Sequence, residues 1–365
     1  MNPLKALWEE YGQAAWLDYI ERDLLTGGGL ERFVTEDGVR GVTSNPSIFK
    51  AAITGSRSYD ADIDAFLRAH PEAPTTELYE ALAIKDIQMA ADILAPVYRA
   101  SMCTGGFVSL EVSPHLAHDT AGTEAEAHRL WRAVDRPNLM IKVPATAAGI
   151  PAIENLIAAG IHVNSTLMFS LADYEAVATA FIRGLGRRDD PSGVASVASF
   201  FVSRVDTKID AALAAIGTDE ALGLRGRAAI ANSRLAYRRF LELFHHPTFA
   251  EMAARGAQVQ RPLWASTSTK NPDYLDVLYV EELVGPETVN TLPTATLEAY
   301  RDHGRPRARV AESFDEDAAL LARLGELGID LDAVTTELQR EGVASFADAF
   351  DQLMAALENK RAARG

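Results

Sequence analysis

The sequence predicts an α/β fold, a parallel (β/α)8 barrel of the TIM type with extra helices inserted and a helical C-terminal extension. Two observations point there. Eight β-rich segments recur with helical sequence between them, and the alternation of strand, helix and strand implies parallel pairing. Most of these strands also carry polar groups on one face, where buried parallel strands should read as nearly continuous Val, Ile and Leu.

The candidate strands are AWLDYI, VRGVTSNP, GFVSLEV, NLMIKVP, HVNSTLMF, SVASFFVSRV, RPLWAST and a weaker ETVNTL. Between the fifth and sixth, Leu171, Tyr174, Val177, Phe181, Ile182 and Leu185 follow helical spacing, with Ser170 placed as an N-cap. Pro151 falls where a first helical turn tolerates proline, ahead of an apolar stripe of Ile153, Leu156 and Ile157. Two gaps are long, between the second and third strands and between the sixth and seventh, and both hold extra helical sequence. Residues 311 to 365 become helical and charged without strand signals. They are expected as terminal helices packed on the barrel, within a single unit spanning 1 to 365; a separate C-terminal module is the alternative. No Walker loop or GxGxxG occurs, and the glycosylation-like triplet Asn164-Ser165-Thr166 lies inside a predicted strand.

Hydrophobic residues make up 48% of the 365 and charged residues 24%, ample for a packed core. A formal charge of −16 opposes phosphate backbones and anionic lipid at long range, so neither nucleic acid nor membrane is an expected partner. A phosphorylated metabolite would need a local basic pocket. The single cysteine, Cys103, precludes an intrachain disulfide and is expected to be a small buried residue. The N-terminus lacks a signal-peptide apolar stretch and no apolar run reaches the roughly 18 residues of a membrane span. A cytoplasmic location is expected.

Side chains alternate faces along a strand, so parity sorts each strand before any chemistry is considered. Trp16 and Asp18 share a face; so do Gly41, Thr43 and Asn45, then Phe107, Ser109 and Glu111, then Met140 and Lys142, then His162, Asn164 and Thr166. If those faces look into a barrel, Asp18, Asn45, Glu111, Lys142, Asn164 and Thr166 converge near its C-terminal mouth, where barrel enzymes keep their active sites. Ser199 and Ser266 extend the ring to the sixth and seventh strands. Singly, each has an ordinary explanation as a snorkelling lysine, a cap or a turn residue. Together they do not, because burying one ammonium and two carboxylates costs several kcal/mol per unpaired ion.

An amine attacks a ketone after losing its proton, which desolvation favours and neighbouring carboxylates oppose. Removing water from the resulting carbinolamine needs an acid/base partner, for which Glu111 on the adjacent strand is suitably placed. Cleaving the bond one carbon further along needs a base for a hydroxyl proton, and Asp18 could reach the opposite side of a bound sugar. No metal or cofactor is required, since a protonated imine is itself the electron sink.

The segments GVTSNPSIF, GFVSLEVSPHLAHDT, NLMIKVPAT, HVNSTLMFS and SFFVSRVDTKID together resemble the transaldolase family, specifically its longer bacterial branch. The resemblance implies a Schiff-base lysine at Lys142, an acid/base glutamate at Glu111 and a catalytic aspartate at Asp18. It further implies that Thr43, Asn45, Asn164 and Ser199 bind sugar hydroxyls, that Thr166 helps position the catalytic water, and that Phe201 lines the pocket. The substrate phosphate should meet Arg204 and Ser266. Arg204 has the wrong parity relative to Ser199, so it is expected just past the strand end. Where the better-known branch places a second arginine after that serine, this chain has Ser268, Thr269 and Lys270, and Lys270 is the expected replacement. The implied reaction moves a dihydroxyacetone unit from fructose 6-phosphate, or sedoheptulose 7-phosphate, to an aldose phosphate, a transferase step of the pentose phosphate pathway.

Rival readings are a metal enzyme using His115, His118 and Asp119, a sugar-phosphate binding protein without catalysis, and an aldolase that releases dihydroxyacetone to water. The partners expected are small-molecule sugar phosphates. The sequence carries no signal of oligomeric state.

Overall fold

The computed structural model describes residues 2–102 and 104–364. Cys103, expected to be buried, lies outside the described residues. The strands β1 (Gln13–Leu17), β2 (Gly41–Thr43), β3 (Phe107–Glu111), β4 (Leu139–Pro144), β5 (Val163–Met168), β6 (Ser196–Phe201), β7 (Arg261–Ala265) and β8 (Thr288–Leu292) close into a barrel in sequence order. Every neighbouring pair is parallel, and β8 returns to β1. The weak segment ETVNTL is therefore a full strand.

The parity sorting holds. Val108, Leu110, Leu139, Ile141 and Val143 are buried in the hydrophobic core, and the alternate residues face the lumen. The closed end of the lumen is filled by aromatic packing. Trp16 is fully buried 6.4 Å from Phe107, and a Cβ at position 41 would come within 2.5 Å of the Trp16 indole, so only glycine fits there. His162 lies against Phe107 at 5.3 Å, and burial pushes its imidazole down to about 4. What remains open is the C-terminal mouth.

The helix Leu171–Gly186 starts with a capping box between Ser170 and Asp173, and it buries Tyr174, Val177, Phe181 and Leu185. Pro151 lies in the first turn of the helix Gly149–Ala158. The long gaps hold the helices Pro46–Gly55, Asp60–Ala69 and Thr75–Ala100 after β2, and Ser203–Ile216, Asp219–Gly223, Ala228–Phe244 and Pro247–Ala254 after β6. Beyond the barrel, the helix Phe314–Glu326 packs on Ala228–Phe244. The last helix, Leu331–Ala362, runs over the end of β5 between Ser203–Ile216 and Pro46–Gly55. No helix among the described residues is long and apolar enough to cross a membrane.

Several strand ends differ from the sequence-based expectation, and three of those strands bear on the site. Strand β1 begins at Gln13 and ends at Leu17, although the Asp18 N–H still donates to the Leu292 carbonyl at 2.8 Å. Strand β6 stops at Phe201, because the next helix begins at Ser203. Strand β7 stops at Ala265, where Ser266 takes a φ of 57° and turns the chain out of the sheet. Asp18 and Ser266 thus sit one residue past their strands, at the rim of the mouth.

Candidate active site

Lys142 is the fourth residue of β4, in register with Glu111 of β3 on one side and Asn164 of β5 on the other. Its side chain is 6% exposed and that of Glu111 is 3% exposed. The Lys142 Nζ lies 3.3 Å from Glu111 Oε2, donates to the Ser44 carbonyl at 3.2 Å, and sits 5.4 Å from the centre of the Phe346 ring. Neither carboxylate oxygen of Glu111 has a hydrogen-bond partner among the described residues. Burial pushes the Glu111 carboxyl up to about 7 against the pull of Lys142.

Asp18 faces Lys142 from β1. Burial raises its carboxyl as well, opposed by the charge of Lys142 and by a hydrogen bond from the Thr43 hydroxyl at 2.6 Å. The Thr43 hydroxyl is also 2.6 Å from that of Thr291, so a chain running Thr291 to Thr43 to Asp18 satisfies all three. Two buried carboxylates with raised affinity for protons beside one lysine is the arrangement expected of acid/base groups rather than of a structural ion pair.

Asn164 is fully buried; its amide donates to Ser109 Oγ at 3.0 Å and its carbonyl accepts from Ser199 Oγ at 2.7 Å. Asn45 caps the helix Pro46–Gly55 by accepting the Ile48 N–H at 3.0 Å, which leaves its side-chain amide facing the lumen for other partners. The Thr166 hydroxyl is buried without a hydrogen-bond partner. These residues border a cavity of about 160 Å³, which Asp18, Thr43, Asn45, Lys142, Thr166, Ser199 and Phe201 line from the barrel. Glu111 and Asn164 stand behind that lining, touching Lys142 and Ser199 rather than the open space.

At the far side the same cavity reaches Arg204, Ser266, Ser268 and Lys270. Arg204 lies in the first turn of the helix after β6, past the strand end as its parity required. Its guanidinium carbon is 5.5 Å from the centre of the Phe201 ring, and burial lowers its pKa against the opposing charge of Glu341. Lys270 donates to Ser268 Oγ at 2.7 Å; burial lowers its ammonium, and the charge of Arg204 lowers it further. Two cations with hydroxyls between them are the chemistry an anion would need at this end of the cavity.

Sequence reasoning missed Thr291, Pro293 and Phe346, which also line the cavity, and named Ser268 without giving it a role. Thr291 was within reach, since it shares a face with Val289 in ETVNTL. Phe346 was not, because it belongs to the terminal helix and no strand pattern refers to it. His115, His118 and Asp119 do not gather around an ion: His115 pairs with Asp351 at 2.7 Å, His118 is exposed, and Asp119 caps the helix Thr120–Val134. A larger chamber of about 370 Å³ flanks Glu111 between the helices Thr75–Ala100 and Thr120–Val134. Of its other charged groups, Arg129 pairs with Glu80 at 2.5 Å and Glu126 accepts the Ser113 N–H at 2.6 Å.

Comparison with known proteins agrees in extent and in kind. Residues 15–357 match the family described as transaldolase/fructose-6-phosphate aldolase. A protein named transaldolase from Thiobacillus denitrificans is 52% identical over 94% of this chain and 96% of its own length. Another of that name from Parafrankia is 50% identical over 94% of each chain, and one from Mycolicibacterium smegmatis is 46% identical over 98% of each.

Proposed function

The chain belongs to the transaldolase/fructose-6-phosphate aldolase family and is an enzyme, a transferase with transaldolase activity, and from that premise we propose that Lys142 carries the transferred unit as a Schiff base. The observation that supports it is the buried amine 3.3 Å from a carboxylate whose own affinity for protons is raised, at the edge of a cavity that ends in two cations.

The Lys142 amine adds to the C2 ketone of fructose 6-phosphate. Glu111 donates a proton to the carbinolamine hydroxyl, water leaves, and the protonated imine forms. Asp18 then takes the C4 hydroxyl proton, the C3–C4 bond breaks, and its electron pair moves into the imine to give an enamine. Glyceraldehyde 3-phosphate departs. Erythrose 4-phosphate enters, its aldehyde is attacked by the enamine carbon, and hydrolysis of the new imine releases sedoheptulose 7-phosphate. Thr43, Asn45 and Ser199 hold the hydroxyls of the sugar, Asn164 acts from behind them by fixing the Ser199 hydroxyl, and Thr166, with its unpartnered hydroxyl, holds the water of the hydration steps. In this reading residues 1–365 act as one unit in the cytoplasm, within the pentose phosphate pathway, and the terminal helices are part of the site.

Borohydride added with fructose 6-phosphate, followed by peptide mapping, tests this directly: the reduced adduct is expected on Lys142 alone. Product formation is expected to require erythrose 4-phosphate; steady release of dihydroxyacetone without it would make the enzyme an aldolase instead.

Arg204, Ser266 and Lys270 receive the phosphate. Arg204→Ala is expected to raise the KM for fructose 6-phosphate by about 10- to 100-fold, the size of a lost charge-assisted hydrogen-bond pair. Lys270→Ala should cost less, because a lysine is a point charge and binds phosphate without the bidentate fork. An unchanged KM in Arg204→Ala would place the phosphate elsewhere.

A further inference from the structure

The last helix meets the barrel through one face, on which Gln339, Gly342 and Phe346 follow one another at helical spacing. Phe346 roofs Lys142. Gly342 sits on Leu167, where a Cβ would come within 2.9 Å of Leu167 Cδ2. Gln339 donates both protons of its side-chain amide, one to the Ala145 carbonyl at 3.0 Å and one to the Leu167 carbonyl at 3.2 Å.

Those two carbonyls are not ordinary strand ends. The pairing of β5 with β6 slips between Ser165 and Met168, and within that irregularity Leu167 takes a φ of 59°. A branched residue in this region is strained and persists only where its surroundings hold it. The residue immediately before it is Thr166, whose buried hydroxyl points without a partner into the cavity. Ala145 lies three residues after Lys142, and its N–H donates to the Thr166 carbonyl at 2.8 Å. The amide of Gln339 therefore bridges the end of the strand bearing the amine to the bulge bearing the hydroxyl.

We propose that Gln339 is a positioning residue for the hydration of the imine: by clamping the Ala145 and Leu167 carbonyls it holds the bulge that aims the Thr166 hydroxyl at the carbon bound to Lys142. The inference rests on the assignments of Lys142 and Thr166 above. In the step concerned, water adds its oxygen to C2 of the protonated imine, one of its protons passes to the nitrogen, the C2–N bond breaks with its electron pair going to the amine, and the released amine takes the remaining hydroxyl proton, so that the oxygen stays as the ketone. Without the clamp the water loses its place, while the phosphate end, held by residues of other elements, keeps its grip on the substrate.

The test measures exchange of 18O from labelled water into C2 of fructose 6-phosphate, beside the KM for that sugar, borohydride trapping and the melting temperature. Gln339→Glu keeps the shape and removes both donors. It is expected to slow enzyme-catalysed exchange at least tenfold, with the KM within twofold of the native enzyme and the adduct still on Lys142. Gln339→Ala should behave alike, and Gln339→Lys, which restores a donor, should exchange faster than either. Exchange within twofold of native in Gln339→Ala overturns the proposal. So does a loss in all three variants that is matched by a rise in KM, since that marks a general loosening of the site. Should Gln339→Glu fail to fold, the contrast of the alanine and lysine variants decides by the same criteria. If the native enzyme itself gives no adduct on Lys142, the functional reading fails, separately from this one.

Discussion

Lys142→Met is expected to abolish the borohydride-trapped adduct and to lower kcat/KM by on the order of 10⁴-fold or more, as removal of a covalent nucleophile does elsewhere. Methionine roughly matches the length of the lysine stem, so the lumen stays filled and the barrel should fold. The electrostatic consequence is separate. Lys142 is the cation that opposes the effect of burial on both Asp18 and Glu111. Once it is gone, both carboxyls must hold their protons more tightly, because the alternative is two uncompensated buried charges. A carboxyl whose folded-state pKa is raised favours the fold most below its unfolded value, and that advantage is lost as pH rises through the folded value. The variant is therefore expected to lose stability relative to the native enzyme between about pH 5 and pH 8, measured as a widening gap in denaturant midpoint. A second trapped lysine, or kcat/KM within tenfold of native, would sink the assignment.

How much of this was legible in the sequence depended on periodicity. A strand's two faces can be read from spacing alone, so Asp18, Thr43, Glu111, Lys142, Asn164 and Thr166 could be grouped without coordinates, and the register that pairs Glu111 with Lys142 and Lys142 with Asn164 follows once the barrel closes. Local caps were equally readable, as at Ser170 and Asp173. Strand ends were not, because pairing is decided by the neighbour. Ser203 bonds through its N–H to the Ser266 carbonyl, and that contact across two loops, not any preference of SFFVSRV, sets where β6 gives way to helix. The roof was the least readable part. Phe346 lies two hundred residues beyond Lys142 in sequence and belongs to a helix whose apolar face is shared among the barrel, the helix Pro46–Gly55 and its own exposed rim, so its spacing predicts burial without saying against what.

The phosphate end shows the same division. Parity placed Arg204 outside the strand, and it stands in the next helix. What sequence could not show is that Lys270 spends its reach on Ser268 and lies close enough to Arg204 for that charge to lower its ammonium further.

The pH dependence of kcat/KM is expected to fall tenfold per unit below about 7, with Glu111 as its origin. Below that value Glu111 is a neutral acid and cannot accept a proton from the attacking amine. Above it the carboxylate can take that proton and then pass it to the carbinolamine hydroxyl. Glu111→Gln should be slower by about 10²- to 10⁴-fold and should lack the limb near 7. The same burial acts on stability with a definite sign. Glu111 is pushed from 4.5 to about 7, so between those values the folded state holds a proton that the unfolded state has lost, and stability drops with rising pH at up to about 1.4 kcal/mol per unit. The site is thus active in the range where this group weakens the fold, and denaturation at pH 5 and pH 8 should show that slope in the native enzyme and a smaller one in Glu111→Gln. If the limb near 7 survives in Glu111→Gln, the titrating group is not Glu111, and Asp18, raised by the same burial on the opposite side of Lys142, becomes the carboxyl to replace next.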